Sequence, residues 1–495
     1  MNNSSLIQQV DGVLRSAATA YAGTPAEASL QTLAVRVRQP LRVAIAGKVK
    51  AGKSTLLNAL IGEELAATDA GECTRIVTWF QHGESCRVVL QPRQGEAREV
   101  RYARPDGRAI RIDLGGARAA DVERLVVEWP SAALRNFMLI DTPGIGSVSA
   151  DVSERAQDFL TPADGRVTPA DAVLYLMRYA HREDIRLLEA FHDDDIVQPT
   201  PVNAVGVLSR ADEIGAGKLD SMASAARVAD SYRKNEQVRR LCQTVLPVTG
   251  LLAYTGRTLR EEEFRELELL ARAPVEELAP TLISVDRFVK LDCPAEVDAE
   301  GRSRLLDRLG LYGLRLGIEL IRSGKCGSST QLAAMLIENS GLRQLVAALG
   351  TQFAARAEVL KARSVLQALG TVLRQMPLEG NKQLVADVER VWAGAHEIAE
   401  LRLLNSLRQD PAGLTEEEVG EAERLLGSSG IAPARRLGLA PEADQGAIRN
   451  AAQEALARWQ GRAESPASLR QSVAAAHVLI RSCEGMLGDL VEPTG

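Results

Sequence analysis

The sequence predicts an α/β fold in which a doubly wound, mostly parallel sheet is joined to an all-α bundle. From about residue 40 the chain consists of short apolar or alternating runs separated by Gly, Pro and Asp, and beyond about residue 353 long amphipathic patterns replace them. Aromatic residues make up only 4 % of the chain, so Leu, Val, Ile and Ala must fill the core, a composition that leans towards helix. At 495 residues the chain exceeds one compact core. Three units are expected. Residues 1–39 form helices that pack with the carboxy-terminal half, 40–353 form the sheet-containing domain, and 354–495 form a helical bundle or short stalk.

Ser5 is placed to cap a first helix, where Ile7, Val10, Leu14, Ala17 and Tyr21 recur at helical spacing. A second follows Pro25 with Leu30, Leu33 and Val37. Strands are expected at 41–46, 75–80, 87–90, 125–129, 137–140, 172–177, 204–208 and 244–248, and the segments between 75 and 129 should add antiparallel strands at one side. Further on, Leu366, Leu369, Leu373 and Met376 line a helix ended by Pro377, and Leu384, Val388, Val391, Ala395 and Ile398 line the next. Thr415 and Glu418 form a capping box, and helices follow near 447–459 and 468–487. These stripes read as helix-to-helix core.

The 59 basic and 65 acidic residues give a net charge of -6, which offers no broad attraction to nucleic acid. Cys73, Cys86, Cys242, Cys293, Cys326 and Cys483 are far apart, as expected of reduced thiols in the cytoplasm. Neither a secretion signal nor an apolar stretch long enough to span a membrane is expected, which leaves peripheral attachment to the inner face of the cell membrane open.

The chemistry concentrates in four strings. Gly47-Lys48-Val49-Lys50-Ala51-Gly52-Lys53-Ser54, followed by Thr55, lies between a strand and a helix face of Leu56, Leu57, Leu60 and Ile61. Two glycines at this spacing let backbone N–H groups wrap a phosphate at a helix N-terminus, with Lys53 reaching the β- and γ-phosphates and the Ser54 hydroxyl holding Mg2+. Asp141-Thr142-Pro143-Gly144 follows an apolar strand. There Asp141 would bind the metal through water, and the Gly144 N–H would sense a γ-phosphate. Ser209-Arg210-Ala211-Asp212 ends another strand, and a carboxylate at Asp212 can accept from both guanine N1–H and the exocyclic amine, which adenine cannot offer. The Arg210 stem would pack on the base, and Thr249 and Gly250 in Pro247-Val248-Thr249-Gly250 would complete the pocket. A switch threonine holding metal and attacking water belongs between residues 68 and 75. Thr74 is the choice and Thr68 the second, while Thr78 reads as a strand residue. His192-Asp193-Asp194-Asp195 reads as a solvated loop rather than a metal site.

The order of these motifs, followed by Ser340-Gly341-Leu342 leading into a helix, resembles the bacterial dynamin-like large GTPases. The runs AGKSTLLNALIGEELAATDAGECTRIVTWFQHG, SRADEIGAGKLD and SVDRFV resemble an actinobacterial, isoniazid-induced group within them. The resemblance covers nearly the whole chain and is weakest in the carboxy-terminal helices. It implies a dynamin-type GTPase domain on a helical neck, GTP or GDP with Mg2+ as ligands, and self-association through the GTPase domain. It also implies membrane association in an envelope stress response; the rival reading, favoured by Val49 and the short stalk, is a slow GTP-binding scaffold that acts by pairing with a larger dynamin-like partner. Eukaryotic dynamins carry a water-orienting Gln where Val49 stands, and guanylate-binding large GTPases a catalytic Arg where Lys50 stands. By that likeness Lys50 supplies charge to the transition state, the alternative being that it faces solvent. The stalk is short for a lipid-inserting tip; Arg435-Arg436 with Leu437-Gly438-Leu439 is a candidate membrane-touching loop, set among acidic residues.

Overall fold

Strand formation follows the apolar runs. In the computed structural model, which describes residues 5–66, 75–104, 110–144, 168–178, 203–239, 241–378 and 380–490, strand β1 (Leu41–Gly47) is buried at every position. That is the pattern of a strand covered on both faces. It is followed by β2 (Val77–His82), β3 (Arg87–Pro92), β4 (Arg98–Glu99), β5 (Tyr102–Ala103), β6 (Arg111–Ile112), β7 (Val122–Trp129), β8 (Phe137–Asp141), β9 (Ala172–Met177), β10 (Ala204–Ser209) and β11 (Val245–Val248). Among the described residues one large sheet has the order β11-β10-β9-β1-β8-β2-β7-β3-β4. From β11 to β8 all neighbours are parallel. β2 reverses against β8, β7 runs parallel to β2, and β3 reverses again, so the 75–129 segment forms the expected antiparallel flank. Because these five strands run the same way, their carboxyl ends share one edge, and the order reverses at β1, the usual place for a ligand crevice.

The longer helices are α1 (Leu6–Ala20), α2 (Glu27–Arg38), α3 (Lys53–Ile61), α4 (Ser221–Lys234), α5 (Gly250–Thr258), α6 (Glu261–Arg272), α7 (Ala299–Arg322), α8 (Ser329–Glu338), α9 (Leu342–Ala348), α10 (Ala357–Gln375), α11 (Lys382–Gly394), α12 (His396–Gln409), α13 (Glu416–Leu425), α14 (Gln445–Glu464) and α15 (Arg470–Asp489). Ser5 and Gln8 form a reciprocal capping box on α1, as Thr415 and Glu418 do on α13. Three details differ from the sequence pattern. Helix replaces strand already at Gly250, well before residue 353. The stripe from Leu384 to Ile398 belongs to two helices, because Ala395 is extended after Gly394. Met376 lies beyond the end of α10 and is exposed, so only Leu366, Leu369 and Leu373 of its stripe are buried.

α1 and α2 share a core with α10 and α11, in which Val10, Leu14 and Leu30 meet Leu366 and Leu369. Polar contacts fix the same junction. Tyr21 Oη donates to Met376 O at 2.9 Å, and Lys361 Nζ donates to Val37 O and Gln39 O at 3.2 and 3.1 Å. Arg36 on α2 pairs with Asp171 at 2.6 Å, both side chains buried. The other oxygen of Asp171 accepts from the Arg42 N–H at 3.0 Å, so one carboxylate joins α2 to the start of β1. A buried pair of this kind holds geometry more than it adds stability.

The carboxy-terminal half closes around Glu400, which accepts from Arg436 Nη2 at 2.5 Å and Ser482 Oγ at 2.6 Å. Arg436 also donates to Leu425 O at 2.6 Å, and Leu437 packs against the main core. Of the candidate membrane loop, Arg436 and Leu437 are thus turned inward, while Arg435 and Gly438 stay exposed. Burial pushes the Glu400 carboxyl up, but hydrogen bonds from His396 and Ser482 and the charge of Arg436 outweigh it and bring the pKa to about 2. With a folded value below the ordinary 4.5, the carboxylate stabilises the fold above that pH and loses the contribution as pH falls towards 2. The urea-measured advantage of the native protein over Glu400→Gln should therefore shrink by roughly 3 kcal/mol between about pH 5 and about pH 2. An unchanged difference across that window would contradict the account.

Candidate nucleotide-binding site

The loop after β1 has a backbone only glycine permits at its ends. Gly47 has φ 147°, and a Cβ there would lie 2.5 Å from Leu176 O on neighbouring β9. Gly52 has φ 91° and starts α3. Between them Lys50 takes φ 61°, unusual for a residue with a side chain, and lies exposed at the tip of the loop. Lys53, 8 % exposed, folds back beneath the loop, its Nζ donating to Gly47 O and Lys48 O, both at 3.2 Å. Burial lowers its pKa, against the charge of Asp141.

Ser54 Oγ donates to Asp141 Oδ2 at 2.9 Å, which ties the first turn of α3 to the end of β8. Burial raises the Asp141 pKa, opposed by Lys53 and the Ser54 hydrogen bond, and Oδ1 is buried without a hydrogen-bond partner among the described residues. A hydroxyl beside a carboxylate with one unused oxygen is a hard donor set that fits Mg2+ completing its shell with phosphate and water. Next along the chain, the Thr142 N–H and Oγ1 both donate to Ile45 O, at 3.4 and 2.9 Å. At Gly144 a Cβ would stand 2.6 Å from Val49 Cγ2, so the sensor turn and the phosphate loop touch at the position where only hydrogen fits. Thr74 and Thr68, like His192–Asp195, lie outside the described residues.

The other end of the site is built from β10 and β11. Ser209 Oγ donates to Met177 O at 3.3 Å, and Arg210, with φ 51°, pairs with Glu213 at 2.8 Å. Asp212 sits in the turn Ala211–Glu213. Burial raises its pKa, and a hydrogen bond with Thr249 lowers it. Thr249 is itself fixed, its N–H donating to Ser340 O at 2.9 Å. Gly341 is required there, because a Cβ would fall 2.1 Å from Pro247 O. A cavity of ≈ 160 Å³ joins the two ends, lined by Ala51, Gly52 and Thr55 on one side and by Ser209, Arg210, Asp212 and Gly250 on the other.

The structure thus brings together residues 47–55, Asp141, Gly144, Ser209, Arg210, Asp212, Thr249 and Gly250, with Lys50 exposed on the loop and not among the residues that line the cavity. Sequence reasoning missed the supporting role of Ser340 and Gly341 and the lining residues Glu213 and Leu251. The Ser340-Gly341 pair was visible as a string, but nothing in its spacing reveals that it crosses the end of β11.

The pattern of the Dynamin family matches residues 43–209, which span the site from β1 to β10. The isoniazid-induced protein IniC of Mycobacterium tuberculosis is 40 % identical over 492 residues, covering 98 % of this chain and 99 % of that protein. IniA of the same organism is 29 % identical over 245 residues, 47 % of this chain and 34 % of that protein. A bacterial dynamin-like protein of Nostoc punctiforme is 30 % identical over 147 residues, 28 % and 20 % of the two chains. Matched by one relative along almost its whole length and by the family pattern across the strands that build the site, the chain belongs to the dynamin family of GTPases, among its bacterial dynamin-like members.

Proposed function

We propose that the protein binds Mg-GTP in the cavity between residues 47–55 and Asp212, hydrolyses it, and couples nucleotide-dependent pairing of its GTPase domains to movement of the helical neck. Residues 40–353 are the nucleotide-driven unit and 1–39 with 354–495 the neck and short stalk that it moves. The observation that carries the reading is the cavity itself, which opens on the phosphate loop at one end and on a half-buried carboxylate suited to guanine at the other.

In this reading the loop N–H groups and Lys53 stabilise charge on the transferred phosphoryl group, and Thr74 and Gly144 position water and report its departure. Bound magnesium would neutralise the β- and γ-phosphate oxygens, with Ser54 and Thr74 as ligands and Asp141 acting through water. Among the described residues no side chain stands out as a general base. The protein would work in the cytoplasm, at the inner face of the membrane as a peripheral component of an envelope stress response. Among the described residues no helix is long and apolar enough to cross a membrane. Its partners would be a second copy, or a larger paralogue of the IniA kind, and not nucleic acid.

A second reading is favoured by Val49, whose apolar, partly exposed side chain stands beside Gly144 where a water-orienting group would be useful. The protein would then be a slow GTP-binding scaffold that acts by pairing with a larger dynamin-like partner.

Lys53→Ala should abolish saturable binding of guanine nucleotide in equilibrium titrations, and Asp212→Asn should move preference from GTP to XTP. Undiminished GTP binding by Lys53→Ala would remove the phosphate loop from the account. Steady-state turnover measured across protein concentrations, with and without liposomes, should rise with concentration for a self-assembling enzyme; flat, very slow turnover selects the scaffold. In single-turnover experiments Lys50→Ala should slow hydrolysis by roughly tenfold or more with little change in GTP affinity. Unchanged hydrolysis would leave Lys50 as a solvent-facing residue.

A further inference from the structure

The base-reading turn is held in a conformation its own residues resist. Arg210 and Ala216 carry side chains yet have φ 51° and 61°, and Gly215 and Gly217 have φ 80° and 67°. Three successive left-handed residues with a β-carbon in the middle persist only where the surroundings over-determine them. The Ala216 N–H donates to Glu213 O at 3.2 Å, and the side chain that ties the turn to the rest of the protein is Arg315 on α7. Its Nη1 donates to Ala216 O at 3.1 Å and Gly217 O at 2.6 Å. Its Nε and Nη2 donate to Leu282 O at 3.1 and 2.6 Å, and Nη2 also to Ile283 O at 3.3 Å. The planar fork is spent on main-chain carbonyls of two loops, an arrangement that sets geometry rather than balancing a charge.

α7 delivers this guanidinium because it kinks. Gly310 has φ 63° and ψ 176°, a region open essentially to glycine alone. A Cβ there would meet Asp212 Oδ2 at 3.8 Å and Leu251 Cδ2 at 3.6 Å, ordinary contact distances, so backbone conformation and not space demands glycine. Past the kink α7 lies against the turn, since a Cβ on Gly217 would come 3.6 Å from the Tyr312 nitrogen. Tyr312 is buried, and burial together with the Asp212 charge pushes its hydroxyl up to about 12.

Resting on the guanine reading above, we propose that Arg315, brought into place by the Gly310 kink, is a positioning residue for base selection. It pins residues 215–217 so that the Asp212 carboxylate faces the N1–H and exocyclic amine of guanine.

The test is a set of dissociation constants for GDP, IDP and ADP with Mg2+, measured on the full chain as native protein, Arg315→Ala, Arg315→Lys and Gly310→Ala, alongside melting temperatures. IDP lacks the exocyclic amine, so the GDP-to-IDP ratio reads one of the two bonds Asp212 would accept. Arg315→Ala should weaken GDP roughly tenfold and bring the ratio close to one, with ADP binding unchanged. Gly310→Ala should behave alike, and Arg315→Lys should recover only part of the ratio, because an ammonium cannot reach both loops; this variant carries the comparison if the alanine protein does not fold. In an Asp212→Asn background Arg315→Ala should add little. A lower melting temperature with an intact ratio would make Arg315 a structural residue and overturn the proposal. If the native protein itself fails to prefer GDP over ADP, the guanine reading falls and the proposal with it.

Discussion

The site depends on the cost of burying a lysine. Lys53 begins α3 almost out of reach of solvent, and its ammonium has to be answered there or the loop would open. Two carbonyls of the loop, from Gly47 and Lys48, and the charge of Asp141 provide the answer. That set of partners exists only because β8 lies parallel beside β1 with Asp141 opposite Ile45. It also exists only because Gly47 can pass within contact of Leu176 on β9, on the other side. Strand pairing on both flanks of β1 therefore precedes the site, and the glycines of the loop are the residues that let the two meet.

How much of this the sequence disclosed follows from how local each cause is. The phosphate loop and the Asp141 turn were legible because a run of apolar residues, a glycine and a polar group within eight positions already specify strand, turn and helix start. The nine-stranded order was not legible in detail. That β2 would pair antiparallel with β8 and then parallel with β7 depends on which edges are free after the chain collapses, and no periodicity records it. Similarly, Gly341 looked like part of a helix-leading string, and only its approach to Pro247 O explains why it must be glycine. Ala395 shows the opposite error. An unbroken apolar stripe suggested a single helix, but the residue after Gly394 is extended and the stripe continues on a second helix over the same core.

The junction between the sheet domain and the neck shows a similar concentration of function in backbone geometry. After α9 the helix widens over Leu349–Phe353, tightens over Ala354–Arg356 and resumes as α10. Such changes of helical pitch mark places where a rod can bend. Here the bend is tied down. Arg356 Nη2 donates to Leu426 O and Gly427 O at 2.9 and 2.5 Å, and Gln352 Nε2 donates to Ser428 O at 2.6 Å. Rotation about residues 349–356 has to break these bonds to carbonyls at the end of α13, of which Gly427 O also accepts from the Gly430 N–H at 3.1 Å. Bending would therefore carry the carboxy-terminal half with it or detach that half.

Whether the domain is a fast enzyme turns on magnitudes rather than on the presence of the loop. The proposed binding residues are assembled, whereas Val49, apolar and 42 % exposed beside Gly144, offers no group to orient water. A single well-placed donor to a developing charge is worth on the order of 10²–10³ in rate, and a cation supplied to a phosphoryl transition state on the order of 10³–10⁵. A chain that binds nucleotide with an intact cradle but lacks the first of these would turn over about that much more slowly, unless the second is supplied. Lys50 sits at the exposed tip of the loop, strained at φ 61° and free to meet a facing surface. Its charge would count most where a second protein excludes water from it, because the same cation in open solvent is screened to a fraction of its value. On the proposed reading, catalytic competence is what assembly would confer, whereas nucleotide binding would need only the single chain.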